Sequence, residues 1–148
     1  MTSFFPDLNV WLALSDEPHV HNTKAWKWLN SISSQDRLIF ARYTQIGLLR
    51  LLTTSAVMNE NTQTLGKAWS VYDGWLEDPR VAFHPEPRNL ELAYRDVTTP
   101  IARFSASKAV GDCFLIAFAQ QTSATLVTFD KALQSQARKA GCSSIVPA

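Results

Sequence analysis

The chain has 148 residues, 46% apolar and 18% charged, with a formal net charge of +1 at pH 7. These values suit a single globular domain (residues 1–148) with a proper core, exclude a disordered chain, and leave room for an apolar surface toward a partner or a second copy. No apolar run is long enough for a membrane span and no basic-then-apolar leader opens the chain, so a cytoplasmic protein is expected. Cys113 and Cys142 lack metal-ligand spacing. They read as buried thiols in a reducing compartment. The near-zero net charge argues neither for nor against nucleic acid.

Ser3 to Pro6 is a short apolar run that reads as a first, buried strand, with Pro6 at its end. Asp7 follows, then Leu8 to Leu14 as a turn or two of helix. A strand whose C-terminal end delivers an aspartate directly into a helix is the usual placement of a site in an open α/β sheet. The plainer role for Asp7 is that of a helix N-cap.

His19 to Ile32 carries a helical pattern, with Val20, Ala25, Trp28, Leu29 and Ile32 on its apolar side. His19 and His21, two apart, diverge on a helix and so do not form a metal pair; they are expected in solvent. Arg37 to Ala41 reads as a second strand, and Tyr43 to Leu52 as a helix. Gln45 lies in the first turn of that helix, at the mouth of an apolar face with Leu48, Leu49 and Leu52. It suits a pocket or, equally, an edge contact. Thr54 to Gln63 is polar and expected as loop. Thr64 to Glu77 is amphipathic, with Leu65, Trp69, Tyr72 and Leu76 at core or interface positions.

Val81 to Phe83 reads as a third strand, and His84 to Pro87 as a rigid connection. Arg88 to Val97 follows as a polar helix, then a loop from Ile101 to Lys108. Arg103, Ser105, Ser107 and Lys108 in that loop could hold phosphates or simply face water. Gly111-Asp112 suits the start of a buried helix through Cys113 to Ala119. Thr125 to Phe129 reads as a strand ending at Asp130. Lys131 to Ala140 is a helix closed by Gly141, and Ser144 to Val146 a last strand.

Strands alternating with helices imply an α/β fold with a parallel sheet covered on both faces. A helix of about ten residues takes the chain roughly 15 Å from Asp112, and a strand of about five returns it roughly 17 Å. Asp130 is thereby expected near the level of Asp112. With Asp7, three carboxylates gather at one sheet edge, a costly arrangement without a proton or cation. Oxygen ligands without His or Cys point to Mg²⁺ or Mn²⁺, and such ions support in-line hydrolysis of a phosphodiester. No phosphate-binding glycine loop, GxSxG or paired-cysteine motif competes with this reading. Asp7-Leu8-Asn9 loosely suggests a DxD phosphatase, but Asn9 cannot donate the proton that chemistry needs.

Four segments, FFPDLNVWLAL, YTQIGLLRLLT, VGDCFLIAFA and LVTFDKAL, match in order and spacing over essentially the whole chain. In them the sequence closely resembles the PIN-domain ribonucleases, and among those the VapC toxins of toxin–antitoxin pairs. The resemblance implies a PIN-like three-layer α/β/α fold with a central parallel sheet. It also implies a Mg²⁺- or Mn²⁺-dependent endoribonuclease that arrests translation and growth by cutting tRNA, rRNA or mRNA. Its partners would be a cognate VapB-type antitoxin and a second copy in a homodimer. Asp7, Asp112 and Asp130 would be catalytic metal ligands, with Asn9 and Thr128 supporting them by hydrogen bonds. Gln45 stands where the family commonly places a catalytic Glu. An amide adds no charge and cannot act as a base, which opens the alternative of a non-catalytic module binding RNA or a partner. Arg42, Arg103 and Lys108 are the expected RNA-phosphate contacts. Arg50 suits either a phosphate or a pairing with a carboxylate or the antitoxin.

Overall fold

A computed structural model describes residues 1–148. Five strands form one parallel sheet: β1 (Ser3–Pro6), β2 (Arg37–Phe40), β3 (Val81–Phe83), β4 (Thr125–Val127) and β5 (Ser144–Ile145), in the spatial order β3-β2-β1-β4-β5. The strands are short because each needs only enough apolar residues to cross the core. In β2, for example, Leu38, Ile39 and Phe40 are buried while Arg37 is exposed. Eight helices surround the sheet. They are α1 (Leu8–Ser15), α2 (Asn22–Ser31), α3 (Arg42–Leu52), α4 (Ser55–Met58), α5 (Leu65–Leu76), α6 (Leu90–Thr98), α7 (Ala109–Gln121) and α8 (Lys131–Lys139). No helix is long and apolar enough to cross a membrane.

Two apolar clusters cover the two faces of the sheet. One joins α1, α2, α3 and α5 through Trp11, Leu29, Leu48, Leu52 and Tyr72. The other joins α6, α7 and α8 through Leu90, Ile116, Phe118 and Leu133. This is the expected α/β/α sandwich with a parallel sheet between its helical layers. Trp11 stacks on Phe40 at 3.9 Å between ring centroids, tying α1 to β2.

Several expectations change in detail. The segment Thr54 to Gln63 is not plain loop but contains α4 and a 3₁₀ turn at Asn59–Asn61. Helix α2 begins at Asn22, so Val20 stands outside it and is 85% exposed. The inner side of α5 is Ala68 and Tyr72, whereas Leu65, Trp69 and Leu76 reach the surface. The three share a helical stripe with Tyr72, and the core covers that stripe only at Tyr72. Asp112 does not open α7; the helix starts at Ala109, and Asp112 lies within its first turn. Both cysteines are free and buried, and Gly141 closes α8 with φ +79°.

The chain order creates one special place. From β1 it runs outward through β2 and β3, then returns to the other side of β1 as β4 and β5. The carboxyl ends of β1 and β4 therefore lie side by side at a topological switch point, where open α/β sheets bind ligands.

Candidate active site at the switch point

Register puts the first aspartate in place. Pro6 pairs with Val127 across β1 and β4, and the Asp7 N–H donates to the Val127 carbonyl at 2.9 Å. Asp7 then caps α1, its Oδ1 accepting from the Val10 N–H at 3.0 Å. The neighbouring Thr128 Oγ1 donates to Asp7 Oδ2 at 2.5 Å. The same hydroxyl oxygen accepts from the Asp130 N–H at 3.0 Å. One buried threonine thus joins both aspartates.

Asp130 caps α8, with Oδ1 accepting from the Ala132 and Leu133 N–H groups at 2.9 and 3.1 Å. It is exposed, whereas Asp7 is only 4% exposed. Asp112, half-buried on α7, lies in the helical layer opposite α1, the same layer as α8. Both aspartates serve as helix N-caps, and both oxygens of Asp7 are engaged by protein donors. The second oxygen of Asp130 has no protein partner.

The electrostatics register this convergence. Burial pushes the Asp7 carboxyl from 3.8 up to about 6, against the lowering effect of Thr128 and of the Val10 and Asn9 N–H groups; the Asp130 charge raises it further. Burial also raises Asp112, and the Asp130 charge adds to the rise while Lys108 opposes it. Asp130 is therefore close enough to both other carboxylates to act on them. Even so, no three ligating side chains close around a point by themselves.

Gln45 is 6% exposed and does not point freely into the cluster. Its Oε1 accepts from Arg42 Nη1 at 2.6 Å, and its side chain also hydrogen-bonds Tyr72. Arg42 in turn lies over the Phe83 ring, 4.5 Å from its centroid. The guanidinium is exposed but held on two sides.

Other candidates sit differently. Asn9 is exposed and reaches Asp7 through its backbone N–H, not its side chain. Lys108 precedes α7 and acts on Asp112. Arg103 instead lies 5.0 Å over the ring of its neighbour Phe104. His84 bonds the Pro85 carbonyl and meets the edge of Phe118. The largest cavity, about 750 Å³, lies between the α1–α2 connection and α5 and contains none of Asp7, Asp112 and Asp130.

Two features escape a reading by periodicity. Tyr43 packs its hydroxyl so closely on Gly111 that a Cβ there would stand 2.3 Å away. His21, expected in solvent, is half-buried and stacks on Phe129 at 4.3 Å and 12°. Both contacts join residues distant in sequence, so no local spacing announces them.

The parallel five-stranded sheet between two helical layers, with its switch point between β1 and β4, defines a class of fold that known proteins share. The PIN-domain family profile matches residues 4–139. Ribonuclease VapC41 of Mycobacterium tuberculosis is 36% identical over 130 residues, covering 85% of this chain and 88% of the relative. Ribonuclease VapC39 of the same organism is 29% identical over 140 residues, covering 88% and 91%. The chain belongs to the PIN-domain family, among its VapC-type ribonucleases. Its fold is similar to VapBC2 from Rickettsia felis, solved bound to a promoter DNA fragment, with TM-score 0.73, 12% identity and 98% of each chain covered. VapBC-1 from nontypeable Haemophilus influenzae gives TM-score 0.68 at 14% identity, again over 98% of each chain.

Proposed function

We propose that this protein is the toxin of a toxin–antitoxin pair, an endoribonuclease that stops growth by cutting tRNA, rRNA or mRNA in the cytoplasm. The observation that carries the reading is the Asp7–Thr128–Asp130 linkage beside Asp112 at the switch point, in a chain related to ribonucleases over most of its length.

The donor set suits a hard divalent cation, Mg²⁺ or Mn²⁺. Every candidate ligand is a carboxylate oxygen, and two of the three carboxyls, Asp7 and Asp112, are held above their usual range by burial and by the charge of Asp130. Asp7, Asp112 and Asp130 would hold the ion. When bound, it supplies positive charge that activates a water and steadies phosphate oxygens during in-line displacement.

The chain's own groups do the rest. Thr128 keeps Asp7 and Asp130 in register through its hydroxyl. Arg42, buttressed by Gln45 and Phe83, presents a planar donor pair to the phosphate of the RNA. Gln45 acts through Arg42 and not as a base. Lys108 adds charge on the Asp112 side; Arg103 is a more peripheral contact.

The proposed partners are a VapB-type antitoxin and a second copy of the chain. The exposed apolar row of Leu65, Trp69 and Leu76 on α5 gives such a partner a surface to cover.

The deciding experiment induces wild type and Asp7→Ala without antitoxin and sequences RNA 5′ ends. Growth arrest with discrete new ends in wild type alone supports the reading. Folded, antitoxin-free wild type that leaves RNA intact sinks it.

A further inference from the structure

We infer that His21 and Phe129 form a stacking platform for one unpaired base of the RNA, next to the phosphate that is cut; this rests on the ribonuclease reading above. Phe129 lies between Thr128, which holds Asp7, and Asp130, so its Cα is about 3.8 Å from each neighbour's. The ring of His21 lies nearly flat on it, 4.3 Å away at 12°. Both side chains are half-exposed. The platform therefore begins one residue from the acidic cluster and opens to solvent.

His21 is placed before any ligand arrives. Its N–H donates to His19 Nδ1 at 3.0 Å. The His19 N–H donates to the Asp16 carbonyl at 2.9 Å, and the Asn22 N–H to the His19 carbonyl at 3.0 Å. Asn22 Nδ2 then donates to the Ala13 carbonyl at 2.7 Å, and Trp26 Nε1 to the Leu14 carbonyl at 3.1 Å, which lock the turn onto α1. A ring ordered this way loses little further freedom on binding.

The outer face of His21 carries no stacked ring. Its other aromatic neighbour, His19, is 5.8 Å away and tilted by 40°. A contact serving packing alone would be served better by a buried apolar side chain. Here the covering residue is polar and half-exposed, and neither ring nitrogen of His21 is engaged by the protein. Stacking on such a surface holds an unpaired base with little regard to its identity, and ring nitrogens can add a hydrogen bond to a base edge or ribose.

The test uses single-stranded oligoribonucleotides carrying one 2-aminopurine at successive positions, bound to full-length protein with Asp112→Asn to prevent turnover. One position should lose fluorescence by stacking. Adding His21→Ala should abolish that quenching and weaken binding about tenfold. His21→Phe should keep both. In the otherwise unaltered enzyme, His21→Ala should raise KM while changing kcat little. An abasic nucleotide at the quenched position should weaken binding to the His21 protein to the same extent, without altering the protein at all. Equal binding by the His21 and His21→Ala proteins, or no penalty from the abasic site, overturns the platform and leaves the ribonuclease reading standing. No binding of any RNA by the parent protein overturns both.

Discussion

Asp7 is the residue on which the site's energetics turn. Its carboxyl titrates near 6 in the fold against 3.8 ordinarily, because it is buried among apolar neighbours. A folded-state pKa raised in this way means that its contribution to stability is full below about pH 4 and is lost as pH rises through 6. At neutral pH the charged carboxylate costs on the order of 3 kcal/mol. Metal-free Asp7→Asn should therefore melt above wild type at pH 7, with the advantage gone near pH 4; thermal melts across pH will read this. An advantage that persists unchanged at pH 4 contradicts the burial account. Thr128 carries a different load. Thr128→Val removes the donor to Asp7 Oδ2 and strands the Asp130 N–H. Denaturant titration should show about 1–3 kcal/mol of destabilisation, and cleavage should fall about 10- to 100-fold.

At the scale of elements, the site depends on how closely α1 and α3 approach. A Cβ on Gly47 would come within 2.1 Å of Leu8 Cδ2 and 3.0 Å of its Cγ. The whole Leu8 side chain would have to move, not merely its tip. Leu8 is the first residue of the helix that Asp7 caps, and α3 carries Arg42 and Gln45. Gly47→Ala should therefore cost about 1–3 kcal/mol and reduce cleavage, and Leu8→Ala in the same chain should recover part of both. Strictly additive losses in the double-mutant cycle would show that the contact does not set the spacing. Gly111 against Tyr43 makes a similar close approach between α3 and α7, but there only the end of an exposed side chain has to yield.

For the whole molecule, the question is charge balance. The three carboxylates meet no buried cation of the protein's own, since Arg42, braced by Gln45 and Phe83, and Lys108 both stay exposed. Had Gln45 been an acid, a second divalent ion would have had more charge to hold it. Calorimetry with Mg²⁺ and no RNA should thus show a single site, and the bound ion should raise the Tm of wild type more than that of Asp112→Asn. Two tight sites without RNA would overturn this balance.

Local pattern along the chain is enough for the alternation of strand and helix, the parallel sheet with two covered faces, and Asp7 and Asp130 at element junctions. These are legible because apolar periodicity and capping are local: Ser3 to Pro6 followed by Asp7 already states a strand, a cap and a helix. Short carriers were less legible. Val20, expected on the apolar side of α2, precedes that helix and is exposed, and Trp69, expected in a core or an interface, lies at the surface, because helical spacing defines a stripe but not how much of it the core covers. Packing between distant segments set the rest. It seated Asp7 beside Thr128 through the register of two strands far apart in the chain, turned Gln45 onto Arg42, and laid His21 on Phe129. Strand order, register and ring contacts of this kind arise from packing between distant segments, and no window along the chain contains both partners.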